Sequence, residues 1–130
     1  MANELILIVE DNDKNLKLAR DILRVKGYRT IEAESAEAGL PLVAEQKPDL
    51  ILMDIHLPGI NGIEALKRIR GAPETSRIPV LAFTASVMPQ DRKEIMSAGF
   101  DGFVSKPINL KEFIASIAST LAGGRPGSAA

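Results

Sequence analysis

Short, unbroken apolar runs recur along the chain: Leu5-Ile6-Leu7-Ile8-Val9, Leu50-Ile51-Leu52-Met53, Val80-Leu81-Ala82-Phe83 and the weaker Gly102-Phe103-Val104. Runs of this length without polar alternation suit strands buried on both faces, as in a parallel sheet covered by helices. A fifth segment, Tyr28-Arg29-Thr30-Ile31-Glu32-Ala33, alternates more and is expected at a sheet edge. Helical patterns separate these runs. The last is the clearest, with Leu110, Phe113, Ile114, Ile117, Ala118 and Leu121 at helical spacing and Asn109 placed to cap its start. The first spans residues 13–26, turning Leu16, Ala19, Ile22 and Leu23 inward and stopping at Gly27. Ser35 can cap a second, but Gly39 and Pro41 lie inside it. An interior proline costs about 3 kcal/mol, so this helix is expected to kink or to start late. Ile63, Leu66 and Ile69 mark a third. The fourth, over residues 89–98, is the least amphipathic, with Met88 and Ile95 as its main anchors and Gly99 as its stop.

Five repeats of strand then helix predict an α/β fold with a doubly wound parallel sheet. At 130 residues there is room for one domain. Residues 1–122 are read as that domain and residues 123–130, GGRPGSAA, as a flexible tail.

Composition narrows the function. Sixteen basic and seventeen acidic side chains leave a charge of −1, without the basic excess of a nucleic-acid binder. One Tyr, four Phe and no Trp argue against a stacking platform for bases or a flavin. The absence of cysteine excludes disulfides, thiol catalysis, iron–sulfur clusters and Cys-ligated zinc, and a single His cannot form a His cluster. The longest apolar run is five residues, against roughly 20 needed to span a bilayer. No secretory signal pattern opens the chain, and a cytoplasmic location is expected.

In an open parallel sheet, sites form at the carboxyl ends of the strands. Those ends carry Glu10 and Asp11, Asp54, Thr84 and Lys106. Two carboxylates about 5 Å apart repel by roughly 3 kcal/mol at an effective dielectric of 20. Three carboxylates and one ammonium leave −2, which a divalent cation balances. Mg²⁺ suits an all-oxygen set best. An Asp, a Mg²⁺, a Lys and a Thr hydroxyl make a phosphoryl-transfer site, and a central Asp can be the nucleophile, giving an aspartyl phosphate.

The set Val9-Glu10-Asp11-Asn12, Met53-Asp54-Ile55-His56-Leu57-Pro58-Gly59-Ile60-Asn61-Gly62, Thr84-Ala85 and Ser105-Lys106-Pro107 resembles the receiver domain of two-component response regulators. The resemblance runs from residue 3 to about residue 122 and within the family is strongest to single-domain regulators of the DivK type. It implies a flavodoxin-like sheet of strand order 2-1-3-4-5. It implies that Asp54 is the phosphoacceptor, that Asp11 binds Mg²⁺ directly and Glu10 through water, and that the main-chain carbonyl of His56 completes the metal site. Thr84 and Lys106 match the pair that contacts the phosphoryl group, and Thr84 and Phe103 match the switch positions. His56 and Ser86 match positions that tune dephosphorylation. The implied partners are a histidine kinase or a histidine phosphotransfer protein, docking near residues 16–20, and a downstream signalling protein. The latter is read on residues 87–98 and 103–119, a face that also serves homodimers. Glu at position 10, where Asp is also used, and Pro41 are the departures. With no output domain after residue 122, output is expected through protein contacts.

Taken singly, these residues have plainer readings. Glu10, Asp11 and Lys106 could be solvated charges, Thr84 a plain strand-end residue, and Asp54 a helix cap, although Pro58 and Gly59 intervene before the next helix. Lys106-Pro107 is a bond whose cis form would fix the loop. Phe103 alone reads as core, Met88 and Met96 as packing, and residues 91–94 as a solvated charged face. An enzyme reading competes: Asp11-Asn12-Asp13 resembles the nucleophile and acid–base pair of haloacid-dehalogenase-type phosphatases. No acidic pair follows Lys106 to hold its metal, no cap segment encloses a substrate, and Asp54 is left unexplained. The P-loop motif is absent.

Overall fold

The computed structural model describes residues 4–57, 59–85, 89–106 and 108–123. Strands β1 (Leu5–Val9), β2 (Arg29–Ala33), β3 (Leu50–Asp54), β4 (Val80–Thr84) and β5 (Gly102–Ser105) alternate with helices α1 (Asp13–Val25), α2 (Ala36–Gln46), α3 (Gly62–Gly71), α4 (Pro89–Ala98) and α5 (Leu110–Gly123). The strands form one parallel sheet in the order β2-β1-β3-β4-β5. This is the flavodoxin-like order, with the alternating segment β2 at an edge, as its mixed pattern requires.

Successive side chains of a strand point to opposite faces, so a run buried on both faces feeds two cores. Leu7, Val9, Ile51, Met53, Val80 and Ala82 pack with Val43 of α2, Leu66 and Ile69 of α3 and Ile95 of α4. Ile6, Ile8, Leu50, Leu52, Leu81, Phe83 and Val104 pack with Leu16, Ala19 and Leu23 of α1 and Phe113 and Ile117 of α5. The helices therefore divide two against three across the sheet.

Capping follows the local chemistry. Asn12 Oδ1 accepts the Asn15 N–H at 3.0 Å, Ser35 Oγ that of Ala38 at 3.1 Å, Asn61 Oδ1 that of Glu64 at 2.9 Å and Asn109 Oδ1 that of Glu112 at 3.0 Å. Gly27 leaves α1 at φ +93°.

Three expectations are corrected. The second helix does not start late: α2 begins at Ala36, directly after its Ser35 cap, with Pro41 inside it. Pro41 is exposed, and the helix is held by buried Ala36, Gly39 and Val43. At Gly39 a Cβ would stand 3.0 Å from Val9 Cγ2, so tertiary packing outweighs the proline's missing donor. Met96 is 49% exposed rather than packed, because Ile95 takes the inward position of α4. Leu110, at 57%, and Ala118 are exposed on α5, where Phe113 and Ile117 carry the burial. Ser86, Val87, Met88, Pro58, the Pro107 bond and residues 124–130 lie outside the described residues.

At the edge where β4 begins, Arg70 of α3 donates to Asp101 Oδ2 at 3.0 Å and to the Ile78 carbonyl at 2.7 Å, and the same Asp101 oxygen accepts the Val80 N–H at 2.8 Å.

Candidate functional site

Five parallel strands place all their carboxyl ends on the other edge. Glu10 follows β1, Asp54 and Thr84 end β3 and β4, and Lys106 follows β5. Glu10 and Thr84 have no exposure and Asp54 has 3%, whereas Asp11 is exposed. Glu10, Asp11 and Asp54 each offer a carboxylate oxygen, and these oxygens lie within 4.8 Å of one another. The predicted cluster is thus brought together.

Each member is held by its neighbours. The Asn12 N–H donates to Glu10 Oε2 at 3.0 Å, and the His56 N–H to Asp54 Oδ1 at 3.0 Å. Lys106 Nζ stands 2.6 Å from Glu10 Oε1 and 3.3 Å from Asp54 Oδ2. It lies 4.7 Å from the centroid of Phe83, which shields the ammonium on one side. The Lys106 main chain donates to the Thr84 carbonyl at 2.9 Å, tying the strand ends that carry the hydroxyl and the ammonium. At Gly62 a Cβ would sit 2.5 Å from the Asp54 carbonyl oxygen, so only glycine lets α3 begin this close to β3.

Burial pushes the Glu10 carboxyl up to about 7, with Asp54 beside it acting the same way and Lys106 and the Asn12 N–H opposing. One ammonium therefore does not compensate the buried negative charge. Oxygen donors only, one of them exposed and all within reach of a single ion, fit a hard divalent cation.

Asp13, the acid–base candidate of the phosphatase reading, is not in this cluster. It starts α1 and lines a surface cavity of about 570 Å³ with Lys17, Arg20 and Glu32.

Phe103 pairs with Ala82 in the sheet register and is half-buried against the α2–α3–α4 core. The guanidinium carbon of Arg92 lies 5.0 Å from its ring centroid. In the sequence Arg92 reads as part of a solvated face and nothing singles out Glu37, whose Oε2 accepts the Ile60 N–H at 3.2 Å beyond β3. Neither contact has a signal in local spacing, since the partners come from different elements.

The model of the response regulator receiver domain matches residues 6–118. The chain belongs to the response regulator receiver family. The polar-differentiation response regulator DivK of Brucella ovis is 44% identical over 116 residues, covering 89% of this chain and 94% of that one. The receiver domain of a sensor histidine kinase from Pseudomonas aeruginosa, solved with a magnesium ion coordinated in its active-site cleft, is 30% identical. It has a TM-score of 0.85 and covers 92% of this chain and 98% of that one. A CheY-like receiver domain protein from Methanospirillum hungatei has a TM-score of 0.84 at 26% identity, over 93% and 95% of the two chains. Membership of this family makes the receiver domain a phosphoacceptor signalling module, and nothing in the geometry or the relatives supports the phosphatase alternative. Among the described residues, no helix is long and apolar enough to cross a membrane.

Proposed function

We propose that the protein is a single-domain response regulator whose Asp54 accepts a phosphoryl group, with Mg²⁺ held by Asp11, Asp54, the His56 carbonyl and, through water, Glu10. The observation that carries this reading is the Asp54 carboxylate itself, 3.3 Å from Lys106 Nζ and within 4.8 Å of oxygens of both Glu10 and Asp11. An oxygen of Asp54 attacks phosphorus, the bond from phosphorus to the donor imidazole nitrogen breaks, and an acyl phosphate remains on Asp54. Lys106 neutralises charge on the transferred oxygens, and the Thr84 hydroxyl donates to one of them. The bound cation supplies the remaining positive charge. The chain catalyses its own phosphorylation and dephosphorylation in this reading, and His56 and Ser86 tune the lifetime.

Phosphorylation draws Thr84 toward the new dianion and vacates space that Phe103 fills. An inward aromatic ring gains on the order of 1–2 kcal/mol, comparable to ordinary allosteric couplings. The signal is then read on α4, β5 and α5 by a downstream protein or a second copy, while a histidine kinase or phosphotransfer protein docks near α1. Residues 1–122, with Gly123 as the last residue of α5 rather than the first of a tail, are the receiver of a cytoplasmic protein.

Acetyl phosphate with Mg²⁺ is expected to add one phosphoryl group to the wild type and none to Asp54→Asn, by intact mass. Modification that persists in Asp54→Asn overturns the assignment. Chelation is expected to abolish the reaction and leave far-UV circular dichroism unchanged.

A further inference from the structure

The segment between Asp54 and α3 is closed tightly at its neck. The Gly62 N–H donates to the Ile55 carbonyl at 3.0 Å, and the missing Cβ of Gly62 would stand 2.9 Å from Ile55 Cα. Near its start, the His56 N–H is tied to Asp54 Oδ1. The far limb is tied from another helix. Glu37, in the first turn of α2, accepts the Ile60 N–H through Oε2 at 3.2 Å.

Gly59, beside Ile60, has φ +73°, and a Cβ there would lie 2.4 Å from that same Glu37 oxygen. The carboxylate lies against the backbone at a position whose conformation favours glycine. A carboxylate accepting a main-chain N–H makes a charge-assisted bond, stronger than a neutral one. Ser35 already caps α2 through the Ala38 N–H, so α2 does not need Glu37 for its own start.

From this contact we propose that Glu37 is a positioning residue for the metal site, fixing Gly59 and Ile60 in the loop that joins His56 to α3. The inference rests on the reading that the His56 carbonyl is a metal ligand. A ligand carried by a loop binds tightly only when the loop is already in place, so the outer partner that holds it contributes to affinity. Glu37 touches neither the ion nor the phosphoryl group in this proposal. Its effect is preorganisation.

The test is a Mg²⁺ titration followed by amide chemical shifts, without phosphodonor, on the full chain. Glu37→Ala removes the acceptor, and Glu37→Asp keeps the charge but withdraws the oxygen by one methylene. Both are expected to raise the Mg²⁺ concentration at half-saturation about three- to ten-fold and to speed amide exchange at Ile60. Glu37→Gln keeps an acceptor oxygen and is expected to stay within about two-fold of wild type. Glu45→Ala, on the same helix, is expected to match wild type. Wild-type half-saturation in Glu37→Ala and Glu37→Asp, with the fold intact, overturns the inference. A wild type that neither binds Mg²⁺ nor accepts phosphoryl from acetyl phosphate overturns the underlying reading instead.

Discussion

A carboxylate with no access to water is costly to ionise, and Glu10 is in that position. Its carboxyl is raised to about 7 in the fold and titrates near 4.5 in the unfolded chain. The folded state therefore holds this proton more tightly. The resulting stabilisation is complete below pH 4.5 and is lost as pH rises through 7. For metal-free protein the loss between these limits is on the order of 2–3 kcal/mol. Glu10→Gln has no proton to lose at this position. Urea unfolding in chelator at pH 5 and pH 8 is expected to show the wild type losing more stability across the interval than Glu10→Gln. Added Mg²⁺ is expected to narrow the difference at pH 8, because a cation near the cluster favours the ionised form. Equal pH slopes for the two proteins would show that Glu10 is not the titrating group.

At the scale of elements, α2 and α4 are the helices that local propensity supports least, for different reasons. Pro41 leaves the Glu37 carbonyl of α2 without its usual i+4 donor. Because Pro41 is exposed, Pro41→Ala restores that donor without disturbing the core. It is expected to stabilise by about 1–2 kcal/mol, part of the gain being offset by the freer unfolded chain. A thermal midpoint unchanged or lowered in that variant would contradict it. In α4, Ile95 is the sole buried side chain among those described, whereas α3 buries Ala65, Leu66 and Ile69 and α5 buries Phe113 and Ile117. Few buried contacts mean a low free energy of local opening. Amide exchange under native conditions is expected to be faster over residues 92–98 than in the middle of α3 or α5. Equal protection would remove the physical basis for placing the responsive helix there. The stacking of Arg92 on Phe103 is the contact through which α4 and β5 would move together.

For the whole molecule, the two edges of the sheet have separate tasks. The edge where the strands end gathers charge that the fold only partly compensates. The edge where β4 begins is closed by Arg70 and Asp101, whose side chains are 18% and 6% exposed. Asp101→Ala would remove the carboxylate partner of the largely buried Arg70 guanidinium, which keeps the Ile78 carbonyl, and the side-chain acceptor of the Val80 N–H. It is expected to cost about 2–4 kcal/mol by urea unfolding. The ends of β4 are about 13 Å apart at strand rise, far enough for the two sites to be nearly independent. Asp101→Ala is therefore expected to leave the Mg²⁺ half-saturation of the folded protein at the wild-type value. A shift in that value would mean that the two edges are coupled through the sheet.

The strands and the site were legible together in the sequence for one reason. A sheet buried on both faces needs continuous apolar runs, and parallel strands bring the residues that end those runs to one edge. Glu10, Asp11, Asp54, Thr84 and Lys106 could accordingly be grouped without coordinates. The order in which the strands pair was not legible from the runs, because periodicity says which residues are buried and not beside which neighbour. That order came from the family resemblance of the motifs. What tertiary structure alone decided lies in contacts between distant elements. Pro41 sits inside a full-length helix because Gly39 packs on Val9. Glu37 reaches Ile60 across 23 positions, and Arg70 reaches Asp101 across 31. Arg92 stays exposed in its charged run and still stacks on Phe103 of β5. The raised carboxyl of Glu10 belongs to the same class. The glutamate is visible in the sequence, but its proton affinity is set by how completely Lys106, Asp54 and the sheet exclude water from it.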